Sequence, residues 1–383
     1  MLDPTSNTHV LVAEKSATGH HLQYVKFLVD RCNERGIRAT VLCPESVKTS
    51  SEFSTHLATQ EGEAVVEIAD EAARNTRTWV NVVVSAADQL RVDHVIVPDG
   101  DRFAAWLSVR IVPLRVPVTT LLMRSPFMLP PRPSIRGRGV QALKVASLGL
   151  AKAHSQLRVV HLAGPGSLVA KGIELVGDPV EVNASPAAWP EGTGLTDSDL
   201  ARTWFGVFGN IDQRKNVPLI LDALTESTFG SWGLVLAGRV APEVKKDVER
   251  RSRAVTASGG LVLAPNRVLS EDEFWGLLRG VDCIVVAHCT AGSSGVLLRA
   301  AAAGSRVVVA GSVSLMRHRR ALGVGLEADL SIRGLSRAFE VAVLQAKPDP
   351  FPVTTPSEFA DDLLQMQCAV PDSDNHVAND RSI

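Results

Sequence analysis

Trp204-Phe-Gly-Val-Phe208, then Gly209-Asn210-Ile211-Asp212-Gln213-Arg214-Lys215-Asn216, then Val217-Pro-Leu-Ile-Leu-Asp-Ala-Leu224 is the stretch that decides how this chain folds. The first piece is short, aromatic and β-branched, which suits a buried strand. The last has apolar residues at helical spacing with a proline near its start. Between them Gly209 relieves steric demand where the chain turns. Two cations, Arg214 and Lys215, then stand in the loop at the strand's carboxyl end. An arginine can fork onto two phosphate oxygens, and a lysine offers a compact charge. The bland alternative is a pair of solvated surface cations.

Working outward, the same alternation continues to about residue 310. Strands are predicted at 233–237, 261–264, 282–287 and 306–310, with helices at 242–257, 270–278 and 295–303. A second loop, Ala291-Gly292-Ser293-Ser294-Gly295, opens the last of these helices. Ser293 or Ser294 can cap it and Gly295 lets a ligand approach the backbone, so free N–H groups and the helix dipole make an anion site. Small-residue loops that cap helices are common, and the two loops together are the more specific signal.

Before residue 186 the alternation runs as strands at 9–13, 39–43, 94–98, 118–123 and 159–162, with a helix at 22–35 ended by Gly36 and a broken helical stretch at 63–89. Strand–helix–strand repeats imply parallel strands with right-handed crossovers. Thr18-Gly19-His20-His21 opens the first helix, where Gly19 permits close approach of a diphosphate and either histidine could act as base or hydrogen-bond donor. Pro98-Asp99-Gly100-Asp101 ends another strand; a carboxylate there could be a base, and Pro-Asp-Gly is also an ordinary turn.

Residues 124–152 form an odd basic segment with Pro126, Pro130, Pro131 and Pro133, then Arg132, Arg136, Arg138, Lys144 and Lys152, and no acidic residue. It reads as a flap over an anionic or lipid-linked substrate, or a peripheral membrane-surface contact, or else as a solvated basic helix on the rim. The domains expected are 1–185, a Pro- and Gly-rich linker at 186–200, and 201–354. A C-terminal helix at 355–369 should rejoin the first domain, and the polar tail from 371 should be disordered.

With 383 residues, 45% hydrophobic and 21% charged, the chain suits two globular domains. A net charge of −1 gives no reason to expect a nucleic-acid partner. Cys32, Cys43, Cys283, Cys289 and Cys368 contain no close CxxC pair and read as reduced thiols rather than a zinc site. The start of the chain shows no signal peptide, and no run of about 18 uninterrupted apolar residues exists. The expectation is a cytoplasmic protein, peripheral at most, needing no metal.

In this order the residues resemble the retaining glycosyltransferases of family 4, which have the GT-B fold. The resemblance covers most of the chain and is best from about Trp204 to Gly311. Phe208 to Leu224 looks like the family's phosphate loop and following helix, and Gly233-Leu-Val-Leu-Ala-Gly238 like its next strand and turn. The segment 269–286 looks like the helix and strand near the donor base, Gly295 to Gly304 like the helix after the second loop. Thr18-Gly19-His20-His21 with Tyr24 looks like the Gly-His entry to the first helix. The resemblance implies an α/β protein of two Rossmann-like, doubly wound domains facing across a cleft. It implies diphosphate binding by Gly19, Asn210, Arg214, Lys215, Ser293, Ser294 and Gly295, and a nucleoside side at Arg239, Val268 and Arg299. His20, His21 and Asp101 become the catalytic candidates.

Three positions depart from the pattern: Asn210 stands where an arginine is usual, and Ala291 and Arg299 stand at the two positions of the family's glutamate pair. At 299 an acceptor-only carboxylate, which in the family binds the donor ribose, is thereby replaced by a donor-only cation that cannot accept from ribose hydroxyls in that way. Arg299 would then contact phosphate or pair with a neighbouring acid. The expected activity is sugar transfer from a nucleotide-diphosphate sugar, as co-substrate, to a polysaccharide, glycolipid or small-molecule acceptor. Two alternatives stand beside it: a non-catalytic binding protein of this fold, and a sugar-nucleotide epimerase.

Overall fold

The computed structural model describes residues 8–17, 21–57, 64–109, 114–123, 146, 149–150, 154–166, 174–189, 193–228, 230–289 and 294–365. The basic segment 124–152, almost entirely, and the tail from 371 lie outside the described residues, as do Gly19, His20, Ala291 and Ser293. Two compact units are formed: residues 1–126, 134–161 and 360–383 make unit 1, and 127–133 with 162–359 make unit 2.

Unit 1 is built on β1 (His9–Ala13), β2 (Arg38–Pro44), β3 (Ala64–Ile68), β4 (His94–Val97), β5 (Val118–Leu122) and β6 (Leu157–Ala163). With β7 (Glu174–Gly177) these strands form a sheet of order β3-β2-β1-β4-β5-β6-β7. β1 pairs in parallel with both β2 and β4. Every residue of β1, β4 and β5 is buried, as expected for strands covered on both faces. The helices Thr76–Leu90 and Asp101–Val109 cover one face, where Trp79, Val83 and Phe103 pack on Leu11, Ala13, Val95 and Val97.

β3 overturns the helical stretch expected from residue 63. Its run Ala64-Val-Val-Glu-Ile68 pairs in parallel with β2 alone, as an edge strand with Glu67 exposed, and helix resumes at Asp70–Ala73 and Thr76–Leu90. Ala and Glu favour helix locally, but the free edge of β2 offers a full hydrogen-bond ladder that β-branched Val65 and Val66 accept readily.

Unit 2 is built on β8 (Thr203–Phe208), β9 (Trp232–Ala237), β10 (Leu261–Leu263), β11 (Cys283–His288), β12 (Val307–Gly311) and β13 (Leu326–Ala328), in the order β10-β9-β8-β11-β12-β13. Side chains alternate across this sheet. Phe205, Val207, Leu234, Leu236, Val285 and Val308 face the helices Val217–Thr225, Pro242–Ala257 and Ile332–Leu344. Trp204, Phe208, Val235, Val286 and Val309 face Glu271–Gly280, Gly295–Ala302 and Val313–Leu322. The period of two along a strand produces this sorting, and burying each large apolar side chain stabilises the fold by roughly 1.5–3 kcal/mol. In the segment before unit 2's first strand, the Trp189 ring lies 4.5 Å from that of Trp204 and the Ala188 N–H donates to Gly276 O.

Both sheets reverse their winding once. From β1 the chain proceeds outward through β2 to β3, then returns to β4 on the other side; from β8 it does the same through β9 and β10 before returning to β11. At such a reversal the loops at the carboxyl ends of two adjacent strands diverge to opposite faces and leave a crevice. The loops after β1 and β4, and those after β8 and β11, border these crevices.

Candidate functional site

The loop after β8 is pinned on two sides. Gly209, at φ +87°, turns away from the strand while its N–H donates to Ala237 O at 3.0 Å. A Cβ on Gly238 would stand 2.1 Å from Gly209 O, so the backbones after β8 and β9 touch. Ile211 N–H donates to Arg239 O at 2.9 Å and Ala241 N–H to Ile211 O at 2.9 Å, so the two loops form a short parallel bridge. On the other side Asn216, at φ +50°, donates from Nδ2 to Ala287 O at 2.8 Å, tying the loop to the end of β11.

Within the loop the two cations have different fates. Asp212 caps a single 3-10 turn at Gln213–Lys215 and takes the Arg214 guanidinium through Nε at 2.9 Å and Nη2 at 2.6 Å. Burial alone would raise the Asp212 pKa, but the hydrogen bond and charge of Arg214 outweigh it and hold the carboxyl below its usual range. Arg214 thus serves first as Asp212's partner. Lys215 is half-buried and, among the described residues, has no ion pair or hydrogen bond from its ammonium. Burial, helped by the charge of Arg214, pushes its pKa below the ordinary lysine value. Asn210 is exposed at the head of the same loop.

Ser294 caps the helix Gly295–Ala302 by accepting from Leu297 N–H at 3.3 Å. Its own N–H donates to Nδ1 of His318 at 3.2 Å, a buried contact the sequence reading missed. His318 must be neutral to accept there, and burial pushes its pKa down to about 4. That helix begins past the carboxyl end of β11, the strand beside β8.

Arg299 pairs with an acid. Its Nη1 donates to Glu271 Oε2 at 3.1 Å and Oε1 at 3.3 Å, and its guanidinium lies 4.9 Å from the centre of the Phe274 ring. Both partners belong to the helix Glu271–Gly280, which a Ser270–Glu273 capping box starts. Val268, 72% exposed, sits in the loop before it, and Arg239 is exposed after β9. Because Glu271 is half-exposed, the contact is modest: Arg299→Met is expected to lower unfolding stability by about 1 kcal/mol. It should leave the affinity for the nucleoside diphosphate that the resemblance implies within about threefold, a difference below 1 kcal/mol. A much larger loss of affinity in a calorimetric titration would show that the guanidinium grips ligand instead.

In unit 1 the ends of β1 and β4 gather Glu14, His21, Asp99 and Asp101. Glu14 folds back to accept from Lys15 N–H at 2.8 Å and Ser16 N–H at 2.9 Å, and its Oε1 lies 3.2 Å from His21 Nδ1. Burial works against an imidazolium at His21, but Glu14, with Asp99 and Asp101, more than offsets it and raises the pKa. Asp101 begins the helix Asp101–Val109 and accepts from Met123 N–H at 3.1 Å. Gly100 is required here, since a Cβ would come within 2.7 Å of Thr120 Cβ. The sequence reading passed over Glu14, although an acid directly following the apolar run Val10–Ala13 was a signal.

No protein-family model matches the chain, and no curated protein sequence does. Solved structures do. A glycosyltransferase from Rickettsia africae ESF-5 is similar over 93% of this chain and 92% of its own, with a TM-score of 0.60 at 9% identity. HepE of Anabaena, solved in complex with UDP, is similar over 92% and 93%, with a TM-score of 0.60 at 15% identity. The spinosyn rhamnosyltransferase SpnG, solved with thymidine diphosphate, is similar over 93% and 94%, with a TM-score of 0.53 at 12% identity. These neighbours are GT-B glycosyltransferases, and the chain shares their fold. Among the described residues no helix is long and apolar enough to cross a membrane.

Proposed function

We propose that this chain is a glycosyltransferase that moves a sugar from a nucleotide-diphosphate donor to an acceptor hydroxyl. One observation carries the reading: Lys215 is a half-buried cation without a partner among the described residues, held in a pinned loop at the point where the unit 2 sheet reverses. A buried charge left unpaired is costly, and it persists where a ligand of opposite charge completes it. The UDP and thymidine diphosphate held by HepE and SpnG are ligands of that kind.

In this reading Lys215 and the start of the helix Gly295–Ala302 neutralise the diphosphate as the glycosidic bond breaks. Asn210, Ser293 and Ser294 donate hydrogen bonds to it, Gly19 lets it approach the backbone, and Arg214 adds charge from beside Asp212. Such groups accelerate transfer because the charge they face grows in the transition state. Positive charge from the protein serves the leaving group, so no metal is assigned at the diphosphate. Arg239 and Val268 face the nucleoside, and Arg299 contributes there by holding Glu271. His20, His21 and Asp101 attend the acceptor. As in family 4, we assign transfer with retention, the departing diphosphate itself taking the acceptor proton. The acceptor is a polysaccharide, a glycolipid or a small molecule.

The test is turnover. Incubated with UDP-glucose and TDP-glucose, the full chain should release nucleoside diphosphate, slowly to water and faster to a hydroxylated acceptor. Proton NMR of the product should show the donor's α configuration kept. If no nucleoside diphosphate raises the melting temperature and none is released from either donor, the reading is wrong.

A further inference from the structure

The cluster in unit 1 holds more than the acceptor chemistry requires. Glu14, His21 and Asp99 each offer one ligand atom, and these atoms all lie within 4.8 Å of one another. Glu14 is the unusual member. It is 1% exposed, and among the described residues its Oε2 has no hydrogen-bond partner. Neither Glu14 nor Asp99 forms an ion pair with a lysine or arginine among the described residues. A buried carboxylate in that position costs several kcal/mol unless something neutralises it.

The contact between Glu14 and His21 narrows what that something is. Nδ1 and Oε1 stand 3.2 Å apart, within ion-pair reach, yet among the described residues Nδ1 makes no aligned hydrogen bond. A base and the carboxylate that orients it meet along an N–H···O line. Two ligands of one ion instead turn their lone pairs toward a common point. Metal–ligand bonds of about 2.0–2.2 Å in a tetrahedron put such atoms roughly 3.3–3.6 Å apart.

We propose that Glu14, His21 and Asp99 form a divalent-cation site at the carboxyl ends of β1 and β4. One imidazole nitrogen with two carboxylate oxygens suits a borderline first-row ion such as Zn2+ better than Mg2+ or Ca2+, which favour oxygen ligands alone. Three protein ligands leave a coordination position for water or a substrate oxygen. Asp101 lies close enough to act on His21 through its charge and adds negative potential. His21 acts here through Nδ1 as a ligand rather than as the base its sequence position suggests, and a metal enters where the sequence reading expects none.

The full-length protein, stripped with a chelator, is titrated calorimetrically with Zn2+ alone, and separately with Co2+ while the visible spectrum is recorded. The expected result is a single tight equivalent, with Co2+ d–d absorption and no thiolate charge-transfer band. Asp99→Asn, at a half-exposed position, should weaken Zn2+ at least about tenfold, as loss of even a supporting partner does. Glu14→Gln and His21→Gln should do the same, with circular dichroism confirming that each is folded. Wild-type affinity in folded Asp99→Asn, no Zn2+ uptake by the wild type, or a thiolate band from a cysteine site would each overturn the proposal. None of these readouts depends on nucleotide binding, so they stand or fall apart from the proposed transferase activity.

Discussion

Lys215→Met is expected to change two measurements in opposite directions: it should weaken UDP binding about 100-fold or more and leave the unliganded protein slightly more stable. The loss of affinity follows from the position of the ammonium. It is half-buried, with its pKa lowered chiefly by burial, and no carboxylate among the described residues is paired with it. Truncating one member of a desolvated charge pair costs roughly 2–5 kcal/mol, and 100-fold in affinity is about 2.7 kcal/mol. The gain in stability follows from the same burial. Methionine keeps the aliphatic stem that packs in the loop and removes a charge the fold must desolvate, a change worth up to about 1 kcal/mol. Calorimetric titration with UDP and TDP measures the first effect and urea unfolding without ligand the second. A variant that binds UDP as the wild type does removes Lys215 from the diphosphate. One that loses affinity together with several kcal/mol of stability shows that the lysine is structural.

Arg214 provides the contrast. Its guanidinium is already satisfied by Asp212, so the two adjacent cations, alike in the sequence, differ in what they can offer a ligand. Sequence cannot separate them, because the difference lies in which carboxylate the turn brings near. The 3-10 turn places Asp212 two residues back from Arg214 and leaves Lys215 without a partner among the described residues.

The same distinction runs through the rest of the molecule. The unit 2 strands and helices from β8 to β12 were legible because their apolar residues repeat with periods of two and 3.6, whereas the helices Val313–Leu322 and Ile332–Leu344 and the short β13 were not assigned from the sequence. Gly209, Asn216 and Ser294 lie where such elements join, and turn and cap chemistry announces them. β3 was not legible, since an edge strand buried on part of its surface carries a weak pattern and its selection depends on the open edge of β2. His318 was not legible either: it lies 24 residues from Ser294 in the chain, and only the packing of the helix Val313–Leu322 brings its imidazole to the Ser294 N–H. The fate of Arg299 turned on Glu271, 28 residues away: the sequence offered phosphate or a neighbouring acid as its partner and could not name which acid the fold brings near. Periodicity reports which faces are buried; it is silent on which polar groups meet across distant elements.

Those buried histidines lead to the second large effect, a loss of stability under mild acid. His94 donates to or accepts from Thr119 Oγ1 at 2.8 Å, His318 accepts from Ser294 N–H, and burial is the leading cause that brings each pKa from 6.5 down to about 4. Above pH 6.5 both rings are neutral folded or unfolded, so the contribution to stability is flat. Between pH 6.5 and about 4 the unfolded chain takes up protons that the folded chain refuses, and stability falls as pH falls. A shift of this size is worth on the order of 3 kcal/mol for each histidine by pH 4, with no further loss below it. His9, also lowered chiefly by burial, adds in the same sense, while His21, raised, acts against them. The two large contributors sit in different units, so each unit should weaken separately. Unfolding followed at several pH values between 7.5 and 4 should show stability declining by a slope of nearly one proton per histidine. His318→Gln keeps an acceptor for the Ser294 N–H without a titrating nitrogen, and should flatten the slope for unit 2 while costing little at pH 7.5. An unchanged slope in that variant, with the fold intact, would mean that His318 is protonated in the native state and that the helix start is held by something other than a neutral imidazole.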